Sequence, residues 1–130
     1  MSPESSFSWS PRTILLVDDE ATVRGVAART LRGDGHLVME AASAPEALEL
    51  AGQHQGEIHI LVTDLVMRGV GGRELADQLR AARPELRVLF MSGYSPEQLD
   101  FDPAAIDADF MEKPFAPAEL SERVRMLMNE

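Results

Sequence analysis

Five short apolar runs, each followed by a stretch of helical periodicity, constrain this chain more than any other feature of it. Residues 13–17 read TILLV and end at Asp18 and Asp19, which predicts a buried strand running into an acidic loop. Val23, Val26, Ala27, Thr30 and Leu31 then recur at helical spacing, and Gly33 and Gly35 stop that helix. A second strand is expected over 37–41, followed by Ser43-x-x-Glu46 with Pro45, a capping box opening a second helix through Leu48 and Ala51. The third strand, over 58–63, ends at Asp64, and Leu75, Leu79 and Ala82 mark the next helix. The fourth, over 87–91, ends at Ser92; Ser95, Pro96 and Gln98 cap a short helix limited by Pro103. The fifth, over 108–112, ends at Lys113, and Leu120, Val124 and Leu127 give the last helix. Near-continuous apolar strands alternating with helices imply a parallel sheet covered on both faces, an α/β fold.

Composition narrows the classes. A chain of 130 residues suits one domain. Residues 1–12 carry five serines and two prolines without a clear period and are expected to be a tail or linker, from which Phe7 and Trp9 could still dock; the domain is expected over 13–130. The formal net charge of −10 argues against a nucleic-acid or anionic-membrane surface. No cysteine is present, which excludes disulfides, thiolate metal sites and cysteine nucleophiles. No apolar run approaches a membrane span and no signal-like segment opens the chain, so the expected compartment is the cytoplasm.

In an open α/β sheet, ligands sit beyond the carboxyl ends of the strands. Those ends read Asp18-Asp19, Asp64, Ser92 and Lys113, while the second strand offers nothing similar. For the acids to meet, strands one and three must be neighbours, which is the flavodoxin-like doubly wound order 2-1-3-4-5 with five helices. Two unit charges 4 Å apart repel by about 4 kcal/mol at an effective dielectric near 20, so either a proton or a cation must neutralise the group. An all-oxygen site suits a hard cation such as Mg²⁺. Lys113 and the Ser92 hydroxyl add groups able to hold phosphate oxygens, and a carboxylate can serve as a nucleophile and form an acyl phosphate. Taken singly, each residue has a plainer account: Asp18-Asp19 as a helix cap, Asp64 as turn chemistry, Lys113-Pro114 as an exposed turn. All four strand ends on one edge carrying these types, in this order, is what the plainer accounts leave unexplained.

With these residues in view, the sequence resembles the response-regulator receiver family over about residues 12–128. The motifs are LLVDDE at 15–20, VTDLVM at 62–67, Gly72 eight residues past Asp64, MSGYS at 91–95 and FMEKPF at 110–115. The resemblance implies that Asp64 is the phosphoacceptor and that Mg²⁺ is held by Asp18, Asp19, Asp64 and the main-chain carbonyl of Val66. It implies that Ser92, the Gly93 amide and Lys113 contact the phosphoryl group, that Ser92 and Phe110 form the switch, and that Lys113-Pro114 is cis. The donor would be a histidine kinase or a histidine phosphotransfer domain. The output face, which would also serve a homodimer, would be the fourth helix, fifth strand and fifth helix. MSGYSPEQL with FMEKPF looks most like the C-terminal receiver of a hybrid sensor histidine kinase; the domain itself is then a phosphorylated signalling module, and kinase activity would belong to the longer chain.

Three positions depart from the family pattern: Arg68 where proline is usual, expected to loosen or recharge the loop; Ser92 in place of the commoner threonine; and Phe110, which lacks a tyrosine hydroxyl. A stand-alone single-domain regulator is the alternative context. A Mg²⁺-dependent aspartyl phosphatase is a second class of function, but those families need a general-acid Asp two residues past the nucleophile, where this chain has Val66. A phosphate-independent binding module is the third, disfavoured by the intact site residues. His36, His54 and His59 lack metal spacing and are expected at the surface or in loops, the seven methionines as core filler, and Gly69, Gly71 and Gly72 as a flexible loop.

Overall fold

Successive side chains of a strand point to opposite faces, and a strand apolar at every position needs cover on both. β1 (Thr13–Val17) and β3 (Ile60–Asp64) are buried at every residue. Ile14, Leu16, Ile60, Val62, Leu89 and Met91 face one side, against Ala27, Ala28 and Leu31 of α1 (Ala21–Gly33) and Leu120, Val124 and Leu127 of α5 (Pro117–Met128). Leu15, Val17, Leu61, Val88 and Phe90 face the other, against Ala44, Ala47 and Ala51 of α2 (Ala44–Gln53) and Leu75, Ala76 and Leu79 of α3 (Gly72–Ala82). Each fully buried leucine or isoleucine contributes about 1.5–3 kcal/mol, so the two cores hold the sheet rigidly.

The computed structural model describes residues 12–129. The expected tail, Arg12 apart, lies outside the described residues, as does any docking of Phe7 or Trp9. β2 (Leu37–Ala41), β4 (Arg87–Ser92) and β5 (Asp109–Glu112) complete a five-stranded parallel sheet in the order β2-β1-β3-β4-β5, the flavodoxin-like order expected from the strand ends. A fifth helix, α4 (Pro96–Leu99), lies between β4 and β5 and is followed by a 3-10 turn at Pro103–Ile106.

Local differences from the sequence reading have physical causes. β3 begins at Ile60, not at 58, although Ile58 is buried and His59 already exchanges main-chain bonds with Thr13 and Arg87. α4 is a single turn closed by a full capping box between Ser95 and Gln98, and it ends at Asp100 in a left-handed conformation (φ 52°) before Pro103 can limit it. At α2 the Ser43 side chain accepts from the Glu46 N–H, but Glu46 reaches back to the N–H of Ala42 at 2.7 Å instead of that of Ser43. Gly72 does not belong to a flexible loop. It opens α3, and a Cβ there would lie 2.3 Å from the carbonyl oxygen of Asp64, so only glycine allows that helix to approach the end of β3. Nor are two of the histidines idle at the surface. His36 is buried and accepts from the Arg12 N–H at 3.3 Å, and His59 accepts from the Thr13 N–H at 3.0 Å, so both hold the start of β1.

Candidate functional site

Parallel register carries the strand ends to one edge. Val17 pairs with both Ala41 and Thr63, which sets Asp18 beside Asp64; Asp64 pairs with Met91, and Ser92 with Glu112, which sets Ser92 and Lys113 next along the same edge. Main-chain bonds continue the ladder past the strands, from Leu65 N–H to Met91 at 2.8 Å and from Lys113 N–H to Ser92 at 2.7 Å. The Lys113-Pro114 bond is cis, as the resemblance implies.

Lys113 stands at the centre of this edge. Its Nζ lies 2.9 Å from Asp18 Oδ2, 3.2 Å from Asp64 Oδ2 and 3.3 Å from Glu20 Oε1. Oxygens of Asp18, Glu20 and Asp64 lie within 4.8 Å of one another. Asp18 is fully buried; Oδ1 accepts the Glu20 N–H at 2.9 Å. Its Oδ2 meets Lys113 as an ion pair, yet no donor among the described residues is aimed at it with hydrogen-bonding geometry. A buried carboxylate oxygen in that condition is costly unless a further positive partner is available.

Burial is the main reason the Asp64 carboxyl is raised to a pKa of about 6; Lys113 opposes the shift and the charges of Asp18 and Asp19 add to it. For Lys113 burial is the largest single influence and acts downward, but contact with Asp18 and the charges of Asp64 and Asp18 outweigh it and raise the ammonium's pKa above its ordinary value. The arrangement is therefore a nucleophile-competent carboxylate held by one cation, in a cluster with more negative than positive charge.

The remaining predicted residues fall as follows. Ser92 is buried; its Oγ accepts the Tyr94 N–H at 3.1 Å, which leaves the hydroxyl proton to be donated. Ser92, Gly93 and Val66 line a cleft of about 570 Å³ with Asp64, Lys113, Tyr94 and Phe115. Phe110 is half-buried against the core on the α2/α3 side. Asp19 does not join the carboxylate group. Its Oδ2 accepts the Arg68 N–H at 3.3 Å and lies 3.6 Å from Arg68 Nε. Glu20 is the third acid whose oxygen lies within 4.8 Å of those of Asp18 and Asp64. Sequence reasoning passed over Glu20 because an acid at a helix start ordinarily serves the helix; here it caps α1 without a side-chain hydrogen bond. The acidic run Asp18-Asp19-Glu20 was the available signal.

Residues 14–125 match the family described as the response regulator receiver domain. The chain is 37% identical over 119 residues to the sensor kinase CckA of Brucella abortus, an alignment covering 91% of this chain and 13% of that protein. It is equally similar to the crystal structure of a receiver domain from the hybrid histidine kinase CckA, with 37% identity, a TM-score of 0.77, and 89% and 98% of the two chains covered. The response regulator TrrA of Thermotoga maritima, solved in complex with Mg²⁺-BeF, aligns with a TM-score of 0.75 at 28% identity over 89% of this chain and 98% of that one. The chain spans 13% of the length of that sensor kinase and about half the length of the full-length response regulators it matches among curated proteins.

Proposed function

This chain belongs to the response regulator receiver family, and from that premise we propose that Asp64 accepts a phosphoryl group from a phosphohistidine in a Mg²⁺-dependent reaction. The observation that carries the reading is the Lys113 ammonium held between Asp18 and Asp64 at the carboxyl edge of the sheet. An Asp64 oxygen attacks phosphorus, the bond from phosphorus to the donor imidazole nitrogen breaks, and the electron pair leaves with the imidazole. Lys113 already touches the attacking carboxylate and can follow the charge onto a phosphoryl oxygen. Ser92 and the Gly93 amide line the same cleft and supply donors for the other oxygens.

The Asp18 oxygen Oδ2, ion-paired with Lys113 but without a hydrogen bond, and the surplus negative charge fit a hard divalent cation. Asp18 and Asp64 would hold it, with Glu20 or Asp19 and the carbonyl of Val66 completing the set. Bound there, Mg²⁺ supplies charge neutralisation for the carboxylates and the transferring group. Val66, 52% exposed and apolar, cannot act as the general acid of an aspartyl phosphatase.

The donor is a histidine kinase or a histidine phosphotransfer domain, a reading that membership of the receiver family and similarity to a sensor kinase support. Similarity to the CckA sensor kinase supports a place within a longer hybrid kinase; a linker before residue 13 and a cytoplasmic location complete that proposal. Among the described residues no helix is long and apolar enough to cross a membrane. The output face is α4, β5 and α5, where Phe110 reports the state of Ser92 and where a second copy would pair; the acidic charge leaves nucleic acid without a surface. Labelling by acetyl phosphate tests the cation requirement: incorporation should need Mg²⁺ and fall strongly in Lys113→Ala, and full incorporation in chelator would reject it.

A further inference from the structure

Arg68 and Asp19 lie 49 positions apart in sequence, yet two groups of Arg68 converge on one oxygen of Asp19. The main-chain N–H donates to Asp19 Oδ2 at 3.3 Å, and Nε lies 3.6 Å from the same atom. The contact ties the segment following β1 to the segment following β3. Meanwhile oxygens of Asp18, Glu20 and Asp64 gather within 4.8 Å, and Asp19 is not in that group. We infer that Arg68 is a latch on Asp19, holding this carboxylate out of the acidic group and thereby weakening the site's hold on a divalent cation. The inference rests on the cation reading above and adds the residue that sets its strength.

An oxygen that is accepting an amide proton and facing a guanidinium has little to offer a cation, and the cation and guanidinium repel when both approach it. For Oδ2 of Asp19 to join the site, the Arg68 contacts must break. The two contacts differ in kind. The Arg68 side chain is 90% exposed, so its ionic part is screened by salt and weak. The amide bond to a carboxylate is charge-assisted and less dependent on salt. Proline is the one residue at 68 that would remove both, because it has no N–H.

Titration with MgCl₂, followed by ¹H–¹⁵N NMR, separates the two parts in the parent, Arg68→Met and Arg68→Pro. Arg68→Met should bind Mg²⁺ about threefold more tightly, with the gain shrinking as ionic strength rises. Arg68→Pro should bind about tenfold more tightly. In the parent and in Arg68→Met the residue-68 amide proton should move upfield at saturation, as it loses its carboxylate acceptor. That amide signal distinguishes a latch from a mere change of nearby charge, and it holds even if the proline variant fails to fold. Equal or weaker affinity in Arg68→Met, or an unmoved residue-68 amide at saturating Mg²⁺, overturns the latch while leaving the cation reading in place. No Mg²⁺ binding by any of the proteins removes the cation reading and the latch with it.

Discussion

Above pH 6 Asp64 carries a charge that its buried position disfavours. Its folded pKa, about 6, lies above its ordinary value of 3.8, so the native state binds more protons between those limits and loses stability as pH rises through them. Asp64→Asn should therefore be more stable than the parent at pH 7–8 without Mg²⁺, by roughly 3 kcal/mol. The gap should close as pH falls below about 4. Urea unfolding across pH checks this, and a less stable variant at pH 8 would mean that the Lys113 ion pair outweighs the burial cost. We propose that two other residues set phosphoryl lifetime. Val66 and Tyr94, 52% and 55% exposed, line the cleft beside Asp64, where a polar side chain could orient an attacking water and a bulky one could shield the bond. Decay of the phosphorylated protein should be slower in the parent than in Val66→Asn or Tyr94→Glu, and equal or faster decay in the parent would dismiss the pair. Residue types at strand ends were legible in the sequence because each is a single position after an apolar run. The engagement of Asp19 by Arg68, and of His36 and His59 by the β1 backbone, was not, because each depends on segments brought together only by the fold.

At the scale of elements, apolar runs, helical spacing and cap residues located the five strands and five α-helices, and the differences lie at their ends and in the unexpected 3-10 turn at Pro103–Ile106. Ladder bonds run past β3 and β4, so an apolar run does not say where pairing stops. The Ser95 and Gln98 signals marked the cap of α4 correctly, but a single turn ending in a left-handed Asp100 has no periodic signature. Gly72 looked like loop glycine because sequence does not report how near α3 comes to the Asp64 carbonyl. The brevity of α4 bears on switching. It buries no residue, so little packing opposes its rearrangement, and Phe110 of β5 is itself only half-buried. Binding of beryllofluoride with Mg²⁺ should move amide resonances in α4 and β5 and along the exposed side of α5, and leave those of β2 nearly still. Unchanged resonances at residues 95–112 would count against that output face. A full population change from 1:99 to 99:1 needs about 5.5 kcal/mol of differential stabilisation, so a partial shift is the expected result where the analogue binds weakly.

The whole molecule explains why the fold was the most legible part. Two strands buried at every position demand cover on both faces, and an acidic site shared by the first and third strands demands that they be neighbours. The observed order β2-β1-β3-β4-β5 meets both conditions. Net charge of −10 fits a cation-binding site and a basic partner alike, each through long-range attraction that salt weakens. The central claim is the transfer itself. A phosphorylated histidine kinase, mixed with the parent and with Asp64→Asn in Mg²⁺, should pass its phosphoryl group to the parent, detected as a mass gain on the peptide holding Asp64, and leave the variant unlabelled while both remain folded. Label on Asp64→Asn equal to that on the parent, or parent label mapping to any other residue, would contradict the account.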